Sequence, residues 1–197
     1  METPVSQPIE QHPLGFFLPE NTKLLMLGSF PPPRVRWSMN FYYPNIQNDM
    51  WRILGLIFYN DKEYFLETKK AFSEEKAKAF CREKGIGIGD TAVEIIRLKN
   101  NASDNFLQVV TPLEPAEVLA KIPACEAIVV TGQKAMDTLI AMLPPVEEPK
   151  VGTYSRFALS DRIFRLYRMP SSSRAYPKPL EEKAAVYRGM FEDLRMV

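Results

Sequence analysis

The sequence predicts a three-layer α/β domain built on a mostly parallel sheet. Short apolar runs alternate with amphipathic helical stretches along most of the chain, the pattern of strand–helix–strand units. The two clearest runs, at 24–27 and 127–130, are apolar without alternation, as strands covered on both faces must be. A length of 197 residues, 46% hydrophobic and 25% charged, fits one globular domain with a sizeable core.

Taken in order, residues 1–21 carry Pro4, Pro8 and Pro13 and read as a loose arm in which Phe16 and Phe17 offer rings to the body. The domain proper then covers 22–197. Residues 23–27 form the first strand, which stops at Gly28-Ser29 and three consecutive prolines. The loop from 28 to about 47 is long for a compact domain, and its aromatic content argues for function rather than disorder. Residues 49–58 read as a helix with Asn48 as its natural N-cap. A lysine-rich helix or helix pair is expected over 61–84, with Phe65, Leu66, Phe72, Ala79 and Phe80 as its apolar positions. Gly85, Gly87 and Gly89 alternate up to Asp90. They lack the spacing of a dinucleotide fingerprint and the Gly-Lys-Ser/Thr of a P-loop, so they read as a strand lying close to something flat or to another strand.

A helix is expected near 91–98, a polar loop at 99–105 and a short strand at 106–110. A helix with proline in its first turn follows at 115–120. The strand at 127–132 leads into a helix at 133–143 that ends at Pro144-Pro145. Residues 157–160 and 163–168 pair as an antiparallel hairpin, or as an edge and a core strand. The last helix spans 180–195.

Composition excludes several function classes. One histidine, His12, lies in the N-terminal arm and is expected to be solvated, which disfavours histidine acid–base chemistry. Cys81 and Cys125 are too few and too far apart for a disulfide or zinc framework, and they read as small buried hydrophobes. No metal site and no organic cofactor are implied. Apolar runs of a few residues leave no membrane span, and an N-terminus with Glu2 and Glu10 does not read as a signal peptide, so the expectation is a reducing, cytoplasmic compartment. The net charge is +1, unevenly distributed: seven basic residues against Asp161 give 150–178 a charge of +6 and leave −5 elsewhere. Such a segment can grip phosphates if its arginines share a face.

Three pieces of the chain carry a resemblance. Gly28-Ser29-Phe30-Pro31-Pro32 ends the first strand. Tyr43, and then Ile46-Gln47-Asn48-Asp49-Met50-Trp51, open the first helix. Pro170-Ser171-Ser172-Ser173 follows the last strand. In this order and spacing they resemble the uracil-DNA glycosylase superfamily, with the mismatch-specific and hypoxanthine-type branches closest. The resemblance spans 24–197. It implies an α/β/α sandwich around a short parallel sheet and hydrolysis of the N-glycosidic bond of a deaminated base, hypoxanthine or uracil, in DNA. The partner is then DNA with a damaged base, bound by a monomer without a metal or other cofactor.

The same resemblance assigns roles. Tyr43 is the stacking shelf for a flipped base, with Gly28, Ser29 and Phe30 as further pocket residues. Asp90 accepts a hydrogen bond from a base N–H. Pro170, Ser171, Ser172, Ser173 and Arg174 clamp the flanking DNA, and Asn48 orients water or holds the base. Two departures stand out. Phe30 occupies the slot where many members carry a water-positioning Asp or Asn, and the late loop lacks its usual His. Three functions follow in order of expectation: a monofunctional DNA glycosylase, a non-catalytic DNA-binding relative, and a nucleoside- or nucleotide-processing enzyme. The last gains if the basic residues of 150–178 prove scattered.

Overall fold

The computed structural model describes residues 7–99 and 103–197. Among the described residues, ten strands and five α-helices follow one another as β1 (Ile9–Gln11), β2 (Leu24–Gly28), α1 (Met50–Tyr59), β3 (Leu66–Thr68), β4 (Ala71–Phe72), α2 (Glu74–Lys84), β5 (Ile86–Asp90), β6 (Ala92–Arg97), β7 (Leu107–Pro112), α3 (Pro115–Ala120), β8 (Ala127–Thr131), α4 (Gln133–Met142), β9 (Thr153–Leu159), β10 (Arg162–Met169) and α5 (Leu180–Asp193). The main sheet runs β5-β2-β8-β10-β9, with its first four strands parallel and β9 antiparallel at the edge.

Side chains alternate between the two faces of this sheet and so sort the helices into layers. Leu24, Met26, Ile88, Val129 and Met169 pack with α1, α2 and α5, whereas Leu25, Leu27, Ile128, Val130 and Leu166 pack with α3 and α4. The expected three-layer α/β architecture is present. The β9–β10 hairpin turns at Ser160 and Asp161, both with positive φ (51° and 61°), the turn whose twist matches that of the strands it joins. Both cysteines are buried free thiols, and burial pushes the Cys125 thiol up to about 11.

Three expectations change. The segment 91–98 is not a helix: its second to seventh residues are strand β6, because Val93, Ile95 and Ile96 suit a pleated surface and both edges find partners, β1 and β7. The segment 61–84 is helical only from Glu74. Ser73 caps that helix by accepting the Lys76 N–H at 3.3 Å, and the residues before it fold back as the β3–β4 hairpin. From residue 7 the segment read as a loose arm is tied down. Ile9, Glu10 and Gln11 pair with Ile96, Ile95 and Glu94, and Phe17 exchanges backbone hydrogen bonds with Ile88.

The alternating glycines of β5 do let something flat approach. A Cβ on Gly89 would fall 2.1 Å from Cε1 of the Phe16 ring. Gly89→Ala is therefore expected to expel that ring and lose about 1–3 kcal/mol, the usual penalty of overpacking. Urea unfolding measures it, and an unchanged midpoint would show that Phe16 moves aside freely.

Candidate functional site

The four parallel strands of the main sheet all end at one cavity of about 640 Å³. Gly28 ends β2, Asp90 ends β5, Thr131 ends β8, and Ser171 and Ser172 follow β10; all five line the cavity. This is where open α/β sheets expose backbone groups and loops to a ligand.

The floor is set by a close approach. A Cβ on Gly28 would stand 2.7 Å from Oδ1 of Asp90 and 3.7 Å from the Tyr43 hydroxyl, so a side chain there would fill the site. Tyr43 sits at φ 51°, a left-handed turn that swings its ring inward, and its hydroxyl lies 3.4 Å from Thr131 Oγ1. Burial pushes the phenols of Tyr42 and Tyr43 well above the ordinary value, so both remain neutral donors. Phe30 lines the cavity but is mostly committed elsewhere, packing on Ala92, Ile95 and Leu107 beneath the second sheet.

Asn48 is half-buried at the rim. The structure moves the N-cap to Asp49, and Asn48 Oδ1 accepts the Met50 N–H at 2.9 Å. That bond fixes the amide: its oxygen is engaged with the helix, and Nδ2 is the end that can serve a ligand, as a donor. Asn48 also forms an isolated antiparallel bridge with Ser173, and the Asp49 N–H donates to the Ser172 carbonyl at 2.8 Å. The early and late loops are thus stitched backbone to backbone.

Charged groups reinforce the seam. Asp49 is buried and meets Arg174 Nε at 3.1 Å and Lys183 Nζ at 3.6 Å. Lys183, only 1% exposed, also donates to the Ser173 carbonyl at 2.8 Å. Ser171 Oγ accepts the Ser173 N–H and Ser173 Oγ accepts the Ala175 N–H, each at 3.2 Å, which shapes the late loop. Pro170 stands behind the lining, its carbonyl accepting from Tyr187 at 2.7 Å.

Two residues at the site escaped the sequence. His12 is not solvated: Nε2 lies 2.7 Å from Asp90 Oδ2 and Nδ1 lies 2.6 Å from the Leu14 carbonyl. Nδ1 also stands 3.1 Å from the Leu14 N–H, so the ring is held from both sides and acts as a brace, wedged edge-on against Phe30 with 5.1 Å between centroids. Strand β1 delivers it from 78 residues away, a distance that no local pattern encodes. The second is Asp104, opening a single 3₁₀ turn before β7 and lining the same cavity. Burial holds its carboxyl above the usual carboxylate range and Asp90 adds to this, against a side-chain hydrogen bond from Ser29 and the charges of Lys134 and Arg97.

The basic segment does not gather on one face. Arg162 donates to the carbonyls of Leu119, Ile122, Pro123 and Cys125, and Arg165 pairs with Asp193 at 3.1 Å. Arg156 and Arg165 line a second cleft near the start of β8, together with Lys23 and Glu126. Arg168 pairs with Glu148 at 2.7 Å, and Lys178 lies 3.7 Å from Glu182. Of the seven, Arg174 is the one that lines the cavity, where Arg36 joins it.

No protein-family model matches the chain, and neither does any curated protein. Solved structures do match. One is the solution NMR structure of a "putative Uracil DNA glycosylase" from Methanosarcina acetivorans, 21% identical, with a TM-score of 0.65 over 95% of this chain and 99% of that one. At this identity the likeness is one of architecture: the chain has the mixed α/β fold, with a mostly parallel central sheet, of a uracil-DNA-glycosylase-like protein.

Proposed function

We propose that the chain is a monofunctional DNA glycosylase that hydrolyses the N-glycosidic bond of a deaminated base, hypoxanthine ahead of uracil, in base-excision repair. The cavity at the strand ends carries this reading: one aromatic shelf, neutral phenols, amide donors and two carboxylates are the means to stack a planar heterocycle and read its polar edge. A base enters such a pocket only after leaving its duplex, and stacking with edge hydrogen bonds offsets that step. Tyr43 is the shelf, Asp90 accepts from a base N–H, and Asn48 Nδ2 donates to the base or to water. Hydroxyls of Ser171, Ser172 and Ser173 and the backbone N–H groups of Ser171 and Ser172, with Arg174 and Arg36 at the rim, hold the flanking phosphates. Pro170 sets the direction of that loop. The protein acts in this reading as a cytoplasmic monomer that needs no metal. Among the described residues, no helix is long and apolar enough to cross a membrane.

The test is a panel of oligonucleotides bearing hypoxanthine, uracil and mismatched bases, scored for abasic sites. Release from at least one lesion is expected, slowed about 10²- to 10³-fold by Asn48→Ala, the usual effect of deleting a positioned donor. DNA binding without release would instead mark a non-catalytic relative. A second reading is favoured by one observation, the dispersal of the basic residues of 150–178. In it the pocket acts on a free nucleoside, and release of base from inosine faster than from inosine-containing DNA would select it.

A further inference from the structure

The reaction proposed above needs a group that takes a proton from water, and the cavity offers few. Asn48 Oδ1 is engaged by the Met50 N–H, and Asn45 Oδ1 by the Gln47 N–H at 3.0 Å. The phenols are neutral. Ser171 Oγ and Ser173 Oγ already accept backbone N–H groups. Arg36 and Arg174 are cations. The carboxylates of Asp90 and Asp104 remain.

Their surroundings separate the two. Asp90 is clamped by His12 at Oδ2, and its Oδ1 lies against the Gly28 backbone on the floor beneath Tyr43. It is shaped to recognise, as a fixed acceptor. Asp104 comes from the short turn before β7, with Oδ2 about 4.0 Å from where a Cβ on Gly132 would be. It faces Ser29 of the first loop, and Phe30 next to Ser29 has nothing that accepts a proton. We propose that Asp104 is the general base of this chain, supplying from the turn before β7 what the first loop lacks at Phe30. This assignment rests on the hydrolase reading of the cavity.

The step balances without a further reactant. The water oxygen bonds to C1′ of the sugar as the C1′–N bond breaks, and the electron pair of that bond leaves on the base nitrogen. One water proton passes to the Asp104 carboxylate, and the neutral carboxyl then gives it to the departing base. Burial supports the role, because a carboxyl held above the usual range is a stronger proton acceptor once ionised. Two carboxyl groups with separated environments and separate duties are a recurring arrangement in acid–base sites.

The experiment is single-turnover base release from the best oligonucleotide of the lesion panel. Asp104→Asn is expected to slow it by about 10²- to 10⁴-fold, the range for a lost general base, with affinity for the oligonucleotide kept within about threefold. The rate should fall on the acid side at a pH above the ordinary aspartate range. Lys134→Met removes a charge that favours the ionised form, so it should move that acid limb to higher pH and leave the plateau rate unchanged. A merely structural Asp104 would not produce that shift. Wild-type rate in Asp104→Asn, or an acid limb unmoved in Lys134→Met, overturns the assignment while leaving the hydrolase reading intact. Absence of release by the wild-type chain overturns both.

Discussion

Lys183→Ala is expected to destabilise the protein by about 3–5 kcal/mol, the effect of breaking a buried ion pair from one side. In a chain of this length that lowers Tm by roughly 10 °C. Lys183 is almost wholly buried inside a helix and reaches two acceptors at once, the Asp49 carboxylate and the Ser173 carbonyl. Its removal opens a cavity, strips the carbonyl of its donor and leaves Asp49 to the half-exposed Arg174 and to Arg52, whose Nη1 stands 4.0 Å from Oδ1. Lys183→Met separates these contributions: it restores most of the volume but no charge, so recovery measures packing and the residue measures pairing. Guanidinium unfolding of the two variants makes the comparison. A loss below about 1 kcal/mol for Lys183→Ala would mean that Arg174 and Arg52 neutralise Asp49 without it.

Trp51→Ala is expected to cost a similar amount, about 3–5 kcal/mol, as large aromatic truncations in cores do. Trp51 is fully buried, stacks on Phe41 with 6.0 Å between centroids and packs on Phe65 at 5.1 Å. Its indole N–H donates to the Tyr42 carbonyl at 3.0 Å. That bond reaches past stability to the site, because it fixes the backbone next to Tyr43, which lines the cavity from a left-handed turn. Trp51→Phe keeps much of the ring and loses the donor, so it should recover most of the stability. If ligand affinity fails to recover with it, the hydrogen bond is what holds Tyr43 in place. If both variants keep wild-type thermal midpoints, the first loop does not depend on Trp51.

What could be read from sequence follows how locally each feature is encoded. β2 and β8 were legible because burial on both faces leaves unbroken apolar runs. The α5 stripe of Ala184, Tyr187 and Phe191 was legible for the same reason in helical period. Strand β6 was not. Ala92, Ile95 and Ile96 fit a helix face as well as a strand, and the partners that decide the matter are β1 and β7. Strand β1 itself is three residues, Ile-Glu-Gln, with no pattern of its own; it is a strand because β6 offers it an edge.

The site divides likewise. Gly28, Tyr43, Asn48 and the late serines stand in an order the eye can follow, and the structure brings them to one cavity with Asp90. His12 and Asp104 lie in segments that looked merely polar, and they matter through partners far away in the chain. Lys183 is hidden most thoroughly, since a lysine among Glu181, Glu182 and Arg188 reads as part of a solvated face.

The bridge between Asn48 and Ser173 also sets when the cavity can exist. It closes a loop of about 125 residues, an ordering that takes about 4 kcal/mol of chain entropy beyond any constant term. A nascent chain that has emerged as far as residue 160 already carries Tyr43, Asn48, Asp90 and Asp104, yet the wall that faces them is still unmade. Synthesis thus leaves the pocket for its final stage, after β10 has docked on β8 and α5 has brought Lys183 to Asp49. The pocket is therefore complete only when the whole sheet is, and a chain cut short before the late serines lacks one of its walls.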